Sequence, residues 1–289
     1  MIRLAVLSDI HANLPALEAV IEDLQQFKVD QVIVAGDVVN FGPFTQQVVQ
    51  RVVESGWTVI RGNGELFLLD YGTPRAPKEW DDPIAYPIPP WLNRQLDNHW
   101  KATIATWPET LSLQFPDAPF IRVFHGTPQS PWDSLYPTLT DTEISGFLKD
   151  VEEDTVIAGH THLALDRRSE PWHLLNPSSV GLPLDGQFSA SYMILDGDES
   201  GWRPIFRRVA FSYAPIFREF ERIWFVEECG VIGQLYVDVF KTARPQLGFL
   251  RWKEIHHPNE SLSQKLYNEY RSKCEWWQYS DPAYHINFR

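Results

Sequence analysis

Five times along this chain an apolar, β-branched run stops at residues able to bind a metal. Residues 4–8 lead to Asp9 and His11, residues 32–36 to Asp37, and residues 58–62 to Asn63; residues 121–124 lead to His125, and residues 155–159 to His160 and His162. Each run has the length and composition of a strand buried on both faces, as in parallel sheets covered by helices. In such sheets ligands bind beyond the carboxyl ends of the strands. Five strand ends therefore bring seven candidate ligands to one place. Imidazole and carboxylate suit borderline divalent metals, and a carboxylate such as Asp37 can bridge two ions about 3.5–4 Å apart, as hydrolytic two-metal sites require. A dinuclear centre is the expectation. For any single cluster, a strand-end turn or a helix N-cap explains the polar residue equally well, and only the succession of five favours the metal.

The order Asp9-Ile10-His11, Gly36-Asp37, Gly62-Asn63, His125, Gly159-His160-Thr161-His162 resembles that of the calcineurin-like metallophosphoesterases. Ser8 to Leu17, Gly36 to Pro43 and Asn176 to Gly181 look like the small prokaryotic phosphodiesterase branch, and the likeness covers roughly residues 1–210. The resemblance implies an α/β fold, a four-layer αββα sandwich. It would place Asp9, His11 and His162 on one metal, Asn63, His125 and His160 on the other, and Asp37 between them. The implied reaction is hydrolysis of a phosphate ester by attack of metal-bound hydroxide on phosphorus, with Asp37, Asn63 and His125 at its centre. Mn²⁺ is the expected ion, with Fe, Ni, Co or Zn as alternatives. Asn13 would either hydrogen-bond the substrate phosphate or cap the next helix.

One departure matters. Many members of this superfamily follow Gly-Asn with a histidine that protonates the leaving group, but here Gly62-Asn63 continues with Gly64-Glu65. Loss of a general acid typically removes about 10²–10⁴-fold in rate. A phosphodiester, or a nucleotide with a good leaving group, is therefore a more fitting substrate than a monoester. His99 and His173 are replacements by residue type alone. The alternative is a non-catalytic protein-binding scaffold on the same fold, like the retromer subunit of the superfamily; Gly64 favours it, and the complete ligand set opposes it.

The chain has 289 residues and a net charge of −13. Residues 210–289 carry ten Lys/Arg and ten Asp/Glu, so the whole acidic excess lies in residues 1–209. Such a surface disfavours nucleic acid, whose binding depends on basic side chains, and fits a small phosphorylated substrate. No apolar stretch approaches the roughly 18 residues of a membrane span. The N-terminus reads as the first core strand rather than a signal peptide. Cys229 and Cys274 make no disulfide framework, and a cytoplasmic setting is expected.

Helical periodicity covers residues 14–27, 44–55, 91–106 and 140–150, and an antiparallel pair is expected at 111–115 and 120–124. Residues 72–90 hold six prolines and read as a surface loop or lid. Trp132 and Tyr136, just past His125, are read first as loop aromatics covering a core edge, with stacking on a nucleobase as the alternative. Strands are expected at 172–175, 190–196 and 204–209. Beyond residue 210 the chain reads as a helical extension, with helices at 214–228, 231–243 and 260–273. Residues 1–210 would form the catalytic domain; residues 211–289 would pack on it as a cap, form a homodimer surface, or offer a platform to another protein.

Overall fold

The computed structural model describes residues 1–285. Its strands are β1 (Ile2–Leu7), β2 (Gln31–Val34), β3 (Thr58–Val59), β4 (Thr110–Phe115), β5 (Ala118–Phe124), β6 (Thr155–Ile157), β7 (Ala164–Ser169), β8 (Trp172–Pro177), β9 (Ala190–Asp198) and β10 (Gly201–Val209). Its α-helices are α1 (Leu14–Leu24), α2 (Thr45–Glu54), α3 (Asn63–Asp70), α4 (Ile88–Arg94), α5 (Asn98–Ala105), α6 (Asp141–Leu148), α7 (Ala214–Arg222), α8 (Phe225–Thr242), α9 (Gly248–His256) and α10 (Gln264–Lys273).

The strands form two five-stranded sheets, ordered β10-β9-β1-β2-β3 and β4-β5-β6-β8-β7. β1, β2 and β3 run parallel in the first, and β5, β6 and β8 in the second. Alternation along β1 explains the layering. Leu4 and Val6 face the second sheet in a core with Ile33, Ile121, Val123, Ile157 and Met193; Ala5 and Leu7 face helices, in a core with Leu17, Val20, Val48 and Val52. Across the second sheet, Phe124, Val156 and Leu174 pack on Ile144 and Leu148 of α6. This is the expected α/β sandwich. Thr140 and Glu143 cap the start of α6 reciprocally.

The helical C-terminal region, α7 to α10, packs into the same core as β1 and α1 through Ile216, Phe220, Phe225, Leu235, Phe240 and Tyr267. Its boundaries differ from the expected ones. The first helix ends at Arg222, and α8 runs from Phe225 through a kink at Gly230, whose φ of 56° and ψ of −139° are open to glycine at little cost. α9 occupies a stretch expected to be a connector. The proline-rich segment is not loop throughout: Pro89 and Pro90 start α4, where their missing N–H groups have no helical partner to lose, and Trp80 is buried. Expected residues 91–106 form two helices, with Asp97 capping the second. β2, β3 and β6 are shorter than their apolar runs, β3 being only two residues, so Asp37, Asn63, His160 and His162 lie beyond the strand ends.

Candidate metal centre

All seven candidate ligands converge at the carboxyl ends of the parallel strands. Asp9 and His11 follow β1, Asp37 follows β2, Asn63 follows β3 and opens α3, His125 follows β5, and His160 and His162 follow β6. Asp9, His11 and His162 form one compact group: His162 Nε2 is 3.0 Å and His11 Nε2 3.6 Å from Asp9 Oδ1, and the two imidazole nitrogens are 3.1 Å apart. On the other side, Asn63 Oδ1 lies 3.0 Å from His125 Nε2 and 2.9 Å from His160 Nδ1. Asp37 stands between, with Oδ2 3.5 Å from His11 Nε2 and Oδ1 3.4 Å from His125 Nε2.

The loops hold these positions at a conformational cost. Asp9, His11, Asp37, His160 and His162 all have φ between 46° and 66°, a region that non-glycine residues seldom enter and that recurs at functional sites. The loops brace one another through His11 N to Asp37 O at 2.9 Å and Gly159 N to His125 O at 2.8 Å. Gly62 permits the close approach: a Cβ there would fall 2.2 Å from Asp37 Oδ1. Gly64 donates its backbone N–H to the same oxygen at 2.6 Å, and a side chain at that position would press on Asp37 and Val39.

Orienting groups surround the ligands. His125 Nδ1 meets Ala35 O at 2.8 Å and His162 Nδ1 meets Leu182 O at 2.5 Å, which directs each Nε2 towards the carboxylates. Glu65 carried no sequence signal of its own, and the Asn176 to Gly181 stretch was marked only by its likeness to the branch. Glu65 accepts four backbone N–H groups, from Gly62, Asp37, Val38 and Val39, at 2.7–3.1 Å, and so ties the Asp37 loop to α3. Ser178 and Ser179 donate to the carbonyls of His162 and Asp9, and Asn176 donates to Gly159 O, all at 2.7–2.8 Å. The Asn176 to Gly181 stretch thus buttresses two ligand loops.

Asn13 is seen in one of its two expected roles, as a helix cap. Its amide is fully buried, with Oδ1 accepting from Ala16 N as a helix cap and Nδ2 donating to Gly181 O at 2.7 Å. Asn13 thus caps α1 and ties it to Gly181, the second of its two expected roles. His99 lies on α5 against Trp100, and His173 binds Asp166 at 2.7 Å; neither lines the cavity over the ligands.

The donor set suits a cation. Burial alone would raise the Asp9 and Asp37 carboxyls and lower His125, yet their mutual attraction wins: both carboxyls are held below their ordinary range and His125 is pushed up to about 10. Burial and the adjacent His125 push His160 down to about 4. Asp9 Oδ1 is buried without a hydrogen-bond donor, although three imidazoles surround it. A buried carboxylate oxygen and converging imidazole lone pairs are the donor set that a divalent metal satisfies. Asp9, His11 and His162, and Asp9, Asp37 and His125, each form a group close enough to hold one.

Over the ligands lies a cavity of about 430 Å³, lined by His11, Asp37, Asn63, His160 and His162 at its floor and by Phe41, Phe67, Trp132, Tyr136, Tyr236 and Tyr284 among its walls. Trp132 and Tyr136, singled out from the sequence, both line it. Among the described residues no helix is long and apolar enough to cross a membrane, and both cysteines are free.

Comparison with known proteins agrees with this architecture. Phosphodiesterase YfcE of Escherichia coli is 30% identical over 213 residues, which is 68% of this chain and 89% of that protein. Uncharacterized protein MJ0912 of Methanocaldococcus jannaschii is 25% identical over 210 residues, 67% of this chain and 82% of that one. In fold, hypothetical protein PH1004 from Pyrococcus horikoshii superposes with a TM-score of 0.72 at 19% identity, covering 85% of this chain and all of that one. A metallophosphoesterase from Sphaerobacter thermophilus gives 0.66 at 24% identity, covering 84% and 99%. Residues 2–200 match the calcineurin-like phosphoesterase superfamily domain, and the chain belongs to that superfamily.

Proposed function

We propose that this protein is a two-metal phosphodiesterase acting on a small phosphorylated substrate. One observation carries the reading: the two oxygens of Asp37 address two separate sets of ligands, His11 on one side and His125 on the other, at 3.5 and 3.4 Å. Asp9, His11 and His162 would hold one ion and Asn63, His125 and His160 the other, with Asp37 shared. Two divalent cations so held, Mn²⁺ being the first choice, activate water and neutralise charge on a phosphoryl group.

The chain's own residues account for the rest. Asn63 ligates through a neutral oxygen and adds no negative charge beside an anionic substrate. Glu65 holds the Asp37 backbone N–H and the Gly64 N–H holds its carboxylate, so the group is oriented before the reaction. With Gly64 in place of a histidine, no imidazole other than the candidate ligands lines the cavity among the described residues. A leaving group that departs as a stable anion suits such a site, which favours an activated diester over an alkyl monoester.

Residues 1–210 would be the catalytic unit, with residues 211–289 packed on it as a cap, and the free thiols accord with a cytoplasmic setting. The experiment is metal counting with turnover: protein stripped by chelator and dialysed against Mn²⁺ binds two equivalents and hydrolyses an aryl phosphodiester. One equivalent bound, or two bound without turnover of any aryl diester, monoester, cyclic nucleotide or dinucleoside polyphosphate, defeats the proposal and favours a scaffold.

A further inference from the structure

The cavity above the ligands is made of two chemically different halves. Its floor is the metal centre. Its walls are aromatic and come from segments far apart in sequence: Phe67 from α3, Trp132 and Tyr136 from the loop after His125, Tyr236 from α8, and Tyr284 from the 3-10 turn at Pro282–His285. Tyr136 and Tyr284 meet edge to face at 5.8 Å and 83°, and Trp132 meets Phe67 likewise at 5.0 Å and 80°. Trp132 is 44% exposed, so the remainder of its ring stays open to an incoming molecule. Among the described residues lining the cavity there is no lysine or arginine, and the charged group contributed by the C-terminal region is the carboxylate of Asp281.

Resting on the two-metal reading, we infer that the C-terminal region completes the catalytic cavity as an aromatic wall selecting a singly charged phosphodiester that carries one planar, uncharged ring. A single phosphoryl group has its charge met at the floor. A second phosphate further up would face Asp281 and phenolic rings, and no described residue lining the cavity offers it a cation, so polyphosphate substrates are disfavoured. A flat ring gains from the walls what a puckered ring of equal size does not, because stacking needs a π-face and close parallel or edge contact. The cavity of about 430 Å³ accommodates such a ring with its phosphoryl group.

Three probes test this on the full-length, Mn²⁺-loaded protein by calorimetry: methyl phenylphosphonate, methyl cyclohexylphosphonate and methyl 4-carboxyphenylphosphonate. In each the ring is joined through a C–P bond and cannot depart; the remaining leaving group is methoxide, a poor one, and methanol release is followed so that binding is read apart from turnover. The phenyl probe should bind about 10-fold more tightly than the cyclohexyl probe, and the carboxylate should weaken binding. Trp132→Ala and Tyr284→Ala should each reduce the phenyl preference, and Tyr284→Phe should retain it. Equal affinity for the two neutral rings, tighter binding of the carboxylate, or a preference unchanged in both alanine variants overturns the inference. Ring selectivity in a protein that hydrolyses no aryl diester would defeat the hydrolase reading and uphold the wall.

Discussion

Tyr236 lies flat against Phe41, ring centroids 3.8 Å apart and planes 16° from parallel, and Phe41 in turn packs on the His11 imidazole at 5.3 Å. Helix α8 is thereby joined to a candidate metal ligand through two rings. Tyr236→Ala should lower stability by about 2–3 kcal/mol, through lost burial and the lost ring pair, and should weaken metal binding because His11 loses its backing. Tyr236→Phe keeps the stack and should stay within about 0.5 kcal/mol of the parent. Urea unfolding and metal titration of the two variants, side by side, check both statements.

Glu65 is the second test of positioning. Its carboxylate receives four backbone N–H groups, and no water-exposed alternative exists for them. Glu65→Gln turns one acceptor into a donor that faces N–H groups. We expect a loss of about 2–4 kcal/mol in stability and roughly 10–100-fold in metal affinity, seen by thermal melting and by calorimetric titration with Mn²⁺. A variant with parent-like affinity would show that Glu65 does not hold the Asp37 loop.

The pH dependence of stability should reverse sign with metal. Without metal, the carboxylates Asp37 and Asp9 push His125 up to about 10. A group whose pKa is higher folded than unfolded contributes fully below its unfolded value of about 6.5, and that contribution is lost as the pH rises towards the folded value. Metal-free protein should therefore lose stability between about pH 6.5 and 10. Metal must displace those protons, so metal-loaded protein should gain stability over the lower part of the same range. Melting curves with and without chelator, and proton release in buffers of different ionisation enthalpy, measure this directly.

Remote from the site, Asp23 on α1 joins β9 and β10 through Tyr192 at 2.6 Å and a two-point pair with Arg207 at 2.9 and 3.1 Å. The Arg207 hydrogen bonds hold its carboxyl below the ordinary range. Its contribution is present above about pH 4 and fades as the pH falls through the lowered value. Asp23→Asn should cost about 1–3 kcal/mol, flatten the acid limb of the stability profile and leave metal affinity unchanged; a shift in metal affinity would contradict that separation.

The centre was legible because its residues announce themselves locally. An apolar run that ends in Asp-X-His or Gly-His-X-His carries both the strand and the ligand within ten residues, and the sheet order does the rest. β7 was not legible: Ala164 to Ser169 contains Asp166, Arg167 and Arg168, and as an edge strand paired with β8 it needs no apolar run. α4 hid behind its own prolines, since Pro89 and Pro90 argue against a helix everywhere except in its first turn. Asn13 reads alike as phosphate donor or helix cap until Gly181 O and Ala16 N are seen to occupy its amide. Apart from the local bond of Glu65 to Gly62 N, Glu65, Tyr236 and Tyr284 act through partners 26 or more residues away, and no local pattern marks such contacts.

The most direct measurement is hydrolysis of an aryl phosphodiester by chelator-stripped protein before and after reconstitution with Mn²⁺, beside Asp37→Asn treated identically. The account predicts no turnover without metal, turnover restored by two equivalents, and a loss of at least about 10²-fold in Asp37→Asn. Hydrolysis that persists in the stripped protein, or survives intact in Asp37→Asn, would contradict it.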